Sequence, residues 1–318
     1  MAAIDECARV VGRVKLAKYS VSERTKAAVI IGSLSKAASA NRRWFAEHNG
    51  VENVLSVIEA ANHHDGEDGL AIAKLRAAAA RAMQHLARDR KARRILLRTP
   101  GAIKSIAVLL LEESAAPAEA TPQEDETKEP TLDDERKDGD ATAPGADDGA
   151  HVAAKTRAAA ANTLKQLGRL DELRVAINRA DAIPKLISCL SHVCTSKVRA
   201  AAAGAIWSVS QHPTNRAEIG ASRCAVSALV DMLYDDDAPC RENAAGALGN
   251  LAHDAMCRRR MLDEDAVPAL VAMLGDDAGN SLESRDNAMV CLNLLDRHRE
   301  GCLAVVCGRV WDALVGRE

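Results

Sequence analysis

The 318-residue sequence predicts an all-α chain wound as a solenoid of about six helical repeats, and three observations carry that expectation. The first is composition: 62 residues are Ala and only six are aromatic. Sandwiches and barrels lean on aromatic and β-branched residues, whereas Ala with Leu, Arg and Glu favours helix. The second is a recurring block of an Arg, a run of small residues, an apolar pair and a polar residue inside a final apolar bracket. Its clearest copy runs from Arg241 to Ala252, and with Asn250 as reference the equivalents are Ser33, His85, Gln166, Ser208, Asn250 and Asn293. The third is a separate block, Ala-(Ile/Val)-x-x-Leu, at 182–186, 225–229 and 266–270. Both landmarks keep a period near 42 residues, the mark of an array whose units bury their apolar faces only against neighbours.

Taken in order, residues 1–20 read as an N-terminal cap with a helix at 4–18, and 21–111 as repeats 1 and 2. The reference residues of those two repeats lie 52 apart because a polar insertion around Asn62 to Gly69 lengthens the unit. The 39 residues at 112–150 hold four Pro, no aromatic residue, 14 acidic and three basic side chains. Such a stretch cannot bury enough apolar surface to fold alone and is expected to be a disordered acidic loop. Residues 151–318 read as repeats 3–6 with a C-terminal cap, in which Val310 to Val315 forms a last helix. Within a unit, apolar residues at helical spacing are punctuated by polar breaks such as 211–215 and 235–239. They divide it into a long helix (Pro239 to about His253), a short one (Met256 to Asp263) and a medium one (Ala266 to Leu274).

The net charge of −3 conceals two unlike parts: the insert carries −11, and the remainder, with 39 basic and 31 acidic residues, carries +8. No run approaches the roughly 18 to 20 apolar residues that span a bilayer, and the N-terminus does not read as a signal peptide. A monomer inside the cell is expected, in the cytoplasm, with the nucleus compatible. Nine Cys without a CxxC pair, several in apolar helical pattern, point to reduced core thiols rather than zinc or disulfides. Cys189 with Cys194, and Cys302 with Cys307, are expected on apolar helices. No phosphate-binding loop, dinucleotide turn, nucleophile elbow or zincin pair occurs, and the adjacent His63 and His64 beside Asp65 lack a third ligand. The sequence therefore predicts no catalytic residue, metal or cofactor, and a protein that is not an enzyme.

The stretches 241–252 and 266–274 resemble the third and second helices of armadillo repeats, with similar forms at 199–210, 182–190 and 285–295. The resemblance implies a right-handed α-α superhelix whose third helices line a concave groove. There an Asn near each helix centre commonly holds the backbone of an extended peptide, because a carboxamide offers both donor and acceptor. Asn250 and Asn293 match that Asn and Gln166 keeps the amide, while Ser33, His85 and Ser208 depart from it. Karyopherin-like members place Trp where this chain has Gly246 and Met289, which argues against recognition of nuclear-import signals. Trp207 is read as core.

At about 100° per residue, positions seven before, four before and three after the reference share its side. These lanes carry Lys26, Lys36, Arg81, Arg88 and Arg169 across the first three repeats and Asp286 and Asp296 near the end. The groove should thus be basic in its first half and neutral to acidic in its second. Arg24, Arg76, Arg157, Arg199 and Arg241, nine before the reference, fall on the opposite side, with stems packed on a neighbouring repeat and heads in water. The expected peptide-binding residues are Arg81, His85, Arg88, Gln166, Arg169, Ser208, Asn250 and Asn293. The expected function is a non-catalytic scaffold that binds an extended, acidic segment of a partner, with residues 114–149 able to fold back and compete. Alternatives are the substrate-recruiting part of a ubiquitin ligase, although no U-box is present, and a nucleotide exchange factor for an Hsp70-type chaperone. Nucleic-acid binding is disfavoured by the lack of stacking aromatics.

Overall fold

The computed structural model describes residues 19–62, 69–111, 146–275 and 280–297. The helices expected at 4–18 and 310–315, the polar insertion at 63–68 and residues 112–145 of the acidic insert lie outside them. The described residues form sixteen α-helices and one 3-10 turn. Repeat 1 begins with the long α1 (Val21–Ala37), followed by the short α2 (Ser39–Glu47) and medium α3 (Gly50–Asn62). The same positions give α4 (Gly69–Leu86), α5 (Arg90–Arg98) and α6 (Ala102–Val108), then α7 (Ala146–Leu167), α8 (Asp171–Arg179) and α9 (Ala182–Ser188), where the helix expected to be medium is shorter than the one expected to be short. Next come α10 (Ser196–Val209), α11 (Pro213–Ala221) and α12 (Arg223–Asp231), extended by the 3-10 turn Met232–Tyr234. The series ends with α13 (Ala238–Leu251), α14 (Ala255–Asp263), α15 (Ala266–Ala272) and the long α16 (Leu282–Arg297). Helix α7 starts inside the stretch that composition assigns to the insert. Acidic composition argues against a core, not against the start of a helix.

The long helices stack in register, α1 on α4, α4 on α7, α7 on α10, α10 on α13 and α13 on α16. Their contact faces are largely Ala, including Ala78, Ala79, Ala82, Ala160, Ala161, Ala202, Ala203, Ala244 and Ala245, all buried. Side chains this small bring helix axes close, which is where the Ala excess is used. Glycine goes further at Gly246, where an added Cβ would lie 2.5 Å from the Trp207 ring. Three of the short helices open after a polar cap or with Pro: Asp89 caps α5, Asp254 caps α14 and Pro213 lies in the first turn of α11. Asn49, Asp181 and Asp265 take left-handed φ of 59°, 56° and 50° just before the medium helix, and Gly101 takes the same place with φ 79°. Asn, Asp and Gly are the residues that adopt this conformation at least cost.

A further periodic device joins short helix to long. Arg42, Arg93, Arg174, Arg216 and Arg258 each reach back from the short helix to a carbonyl at the end of the preceding long helix. The acceptors are the carbonyls of Ser35, of Ala87 and Arg88, of Gly168, of Ser210 and Gln211, and of Ala252, at 2.6 to 3.1 Å. Terminal carbonyls of a helix lack intrahelical partners and carry its negative end, so a guanidinium satisfies both needs. The second arginine lane is also bonded, contrary to the expectation of heads in water. Arg76 donates to Ala61 O, and Arg199 donates to Cys194 O and pairs with the Asp235 carboxylate. Arg241 donates to the carbonyls of Asp235 and Asp236 and to Asn280 Oδ1. Carbonyls at the end of α3 and in the turns before α10 and α13 face these residues, so the heads fasten the connections between helices.

Arg258 is 5% exposed and Ala252 is fully buried, so Arg258→Ala strands a buried acceptor. The expected loss is about 2 kcal/mol of unfolding free energy, with Lys no substitute for the fork. Denaturant unfolding of the two variants beside wild type measures it.

Candidate functional site

From α4 onward, each long helix is backed by the medium helix before it, α3 behind α4, α6 behind α7, α9 behind α10, α12 behind α13 and α15 behind α16. The opposite faces stay open and run side by side. On this face, between α1 and α4, lies a cavity lined by Gly32, Ser33, Lys36, Arg81, Gln84, His85 and Arg88 among others.

 The cavity itself holds about 500 Å³. A second, of about 360 Å³, adjoins it between α4, α7 and α10 and shares Arg81 and Gln84, adding His151, Lys155, Asn162 and Lys197. No Asp or Glu lines either one. Arg81, His85 and Arg88 are therefore brought together, with Lys36 facing them from the neighbouring helix. Arg81 and Arg88 are exposed and His85 is half-buried. Burial lowers the His85 pKa below its ordinary value, and the cations Arg88, Lys36, Arg81 and Arg42 lower it further. The imidazole is neutral at pH 7, and its Nδ1 is buried without a hydrogen-bond partner.

Sequence lanes did not single out Lys155 and Lys197. Both stand eleven residues before the reference residues Gln166 and Ser208, which is three helical turns, so one further step along the same lane finds them.

The reference residues do not act alike. Ser208 Oγ donates to Lys165 O at 2.9 Å, and Asn250 Nδ2 donates to Trp207 O at 2.9 Å and to Ser210 Oγ at 3.2 Å. Each thus bonds the carbonyl of the residue that precedes the reference position in the previous repeat. Both Nδ2 hydrogens of Asn250 are spent inside the solenoid, which leaves Oδ1 to offer, where the sequence suggested a free donor and acceptor. Gln166 is half-buried, and Arg169 and Asn293 are exposed.

Beyond α7 the open face changes character. Lys165 Nζ reaches across α10 to Asn243 Oδ1 at 3.0 Å and stands 5.8 Å from the centre of the half-buried Trp207 ring. Burial lowers its pKa, and Glu242 is the strongest opposing influence. Glu242, Glu283 and Asp286 on α13 and α16 give this half acidic groups, whereas none lines the two cavities of the first half.

Among the described residues no three His, Cys, Asp or Glu side chains gather as a metal site. Six described cysteines are free, all buried except Cys224. Burial pushes the thiols of Cys240, Cys257 and Cys291 up to about 12, so they are protonated packing groups. Cys189 follows the last residue of α9 and Cys194 lies in the turn before α10, rather than both on a helix. His63 to Asp65, Cys7, Cys302 and Cys307 lie outside the described residues. No described helix is long and apolar enough to cross a membrane.

Stacked three-helix units with their long helices along one open face match a known architecture. The family described as Armadillo/beta-catenin-like repeat matches residues 223–253. The fold is an armadillo-repeat solenoid. Solved armadillo structures extend the likeness over nearly the whole chain. A designed armadillo repeat protein has a TM-score of 0.66 at 16% identity, covering 91% of this chain and 99% of its own. A second, in complex with peptide (KR)4, has a TM-score of 0.65 at 15% identity, covering 91% and 99%. An engineered protein from the Northeast Structural Genomics Consortium reaches 0.68 at 18% identity, covering 92% and 97%. At these identities the likeness is one of fold. No curated protein matches the sequence.

Two glycines of the armadillo face should respond oppositely to Ala. At Gly204 the added Cβ meets the mobile ends of Asn243 and Lys165 at 2.8 Å, whereas at Gly246 it meets the packed Trp207 ring at 2.5 Å. Gly204→Ala should be neutral or gain up to about 1 kcal/mol of helix propensity, and Gly246→Ala should lose about 1 to 3 kcal/mol. Thermal unfolding of the two variants distinguishes them.

Proposed function

We propose that this chain is a non-catalytic scaffold that binds an extended, acidic segment of a partner protein along its long helices. The observation that carries the reading is the pair of adjoining cavities lined by Lys36, Arg81, Arg88, Lys155 and Lys197 without a single carboxylate. Opposite charge steers a partner onto such a surface and sets its register. Gln166 and Asn293, with the Oδ1 of Asn250, supply amide groups for the peptide backbone farther along, and Arg169 continues the positive charge. Ser208 contributes by holding α10 to α7. A designed protein of the same fold is solved in complex with peptide (KR)4. The first half of this face carries the charge that repels such a peptide, so the chemistry of the partner is reversed here.

The scaffold works as a monomer in the cytoplasm. Residues 114–149, within an insert of charge −11, compete for the same basic face because their tether raises local concentration.

A glutamate-rich peptide should bind with an affinity that falls about ten-fold between 50 and 200 mM salt. Arg81→Glu with Arg169→Glu should weaken it at least about ten-fold while leaving the unfolding midpoint unchanged, since both side chains are exposed. Deleting 114–149 should tighten it at low salt. Fluorescence anisotropy reads all three, and equal or tighter binding of a Lys-Arg peptide would refute the charge assignment.

A further inference from the structure

The cavity between α1 and α4 concentrates charge in an unusual way. Lys36, Arg81 and Arg88 line it, and none of the three has a side-chain hydrogen bond or ion pair among the described residues. Elsewhere several arginines of the same solenoid are neutralised or fastened, as with Arg199 on Asp235, Arg174 on Asp171 and Arg241 on Asn280, and the other arginine-rich cavity, around Arg43, Arg90, Arg94 and Arg98, contains Asp89. Holding three cations around one concavity costs electrostatic energy that a bound anion would return. The structure assigns this cavity as a seat for a phosphoryl group carried on a phosphorylated side chain of the partner segment, an inference that rests on the groove reading above.

The seat suits a phosphoryl group better than a carboxylate. A phosphoryl group brings nearly two negative charges and three acceptor oxygens, against one charge and two oxygens. Two guanidinium forks and an ammonium provide the matching donors, and forks pair with phosphate in bidentate geometry. Ser33 and Gln84 add neutral donors at the rim, and Gly32 and Ala78 keep the floor low enough to admit the group.

His85 makes the seat sensitive to what fills it. The charged groups that bear on the imidazole are Lys36 from α1, Arg42 from α2, and Arg81 and Arg88 from α4 itself, with no carboxylate from α3 or α7 among them. These cations and burial hold it neutral when the seat is empty. A dianion reverses the local field and raises the pKa, so phosphoryl binding should draw a proton onto His85.

Two ten-residue peptides of alternating Glu and Ala, alike except for a central phosphoserine or Glu, test the assignment with the full chain. Calorimetry at pH 7.0 in buffers of different ionisation enthalpy reads both affinity and proton exchange. The phosphopeptide should bind at least about ten-fold tighter than the glutamate peptide. Arg81→Ala should weaken the phosphopeptide more than the glutamate peptide and cut the preference to below about three-fold. Proton uptake should accompany phosphopeptide binding to wild type and be lost in His85→Asn. Equal affinities for the two peptides, with both still bound, would overturn the phosphoryl seat and leave the groove reading standing. Failure of both peptides to bind would overturn both readings. Inorganic phosphate binding as tightly as the phosphopeptide would overturn the assignment of the ligand to a partner segment.

Discussion

The structure depends on how closely its long helices can approach. A column of helices packed through Ala and Gly gives each repeat little apolar bulk of its own, so stability comes from the neighbours on either side. That spacing makes the open face continuous, because adjacent helices are near enough for Ser208 and Asn250 to bond the backbone of the helix before them. It also brings Trp207 over Gly246 and lets Lys165 span an entire repeat to reach Asn243. The aromatic scarcity of the long helices follows, since the Trp207 ring fits there against Gly246.

Arginine has three different tasks here, and the difference between them separates architecture from function. One set closes the ends of the long helices from the following short helix, and a second fastens the turns before the long helices. Both sets are bonded to carbonyls or carboxylates. The third set, Arg81, Arg88 and Arg169, projects from the open face and is exposed. A periodic arginine is therefore not in itself a sign of a binding surface. What distinguishes the first half is cationic side chains around cavities lined by no acid, beside a second half where Lys165 is already engaged and Glu242 and Glu283 stand nearby.

The repeat period and the three-helix unit were legible in the sequence, as were Lys36, Arg81 and Arg88, which line one cavity. The long helix expected from Pro239 to about His253 spans Ala238–Leu251, and the short helix expected from Met256 to Asp263 spans Ala255–Asp263. Those boundaries could be read because small-residue blocks and polar breaks repeat on one clock. The helix-closing arginines were not read, although Arg93, Arg174, Arg216 and Arg258 keep the same period. In Arg90-Lys91-Ala92-Arg93-Arg94 nothing local tells that Arg93 is buried and Arg94 exposed. The commitment of Asn250 was equally hidden, because its acceptors belong to another repeat. His85 was expected on the groove by position, but its pKa is lowered first by burial and then by cations that include Lys36 and Arg42, whose proximity only the fold creates.

The central claim is that the first three repeats hold the acidic partner segment. Hydrogen exchange of the full chain, with and without a saturating glutamate-rich peptide, tests it most directly. Added protection should be confined to α1, α4, α7 and the first turn of α10, with α13 and α16 little changed. Protection centred on α13 and α16, or on the short helices α5 and α8, would contradict it.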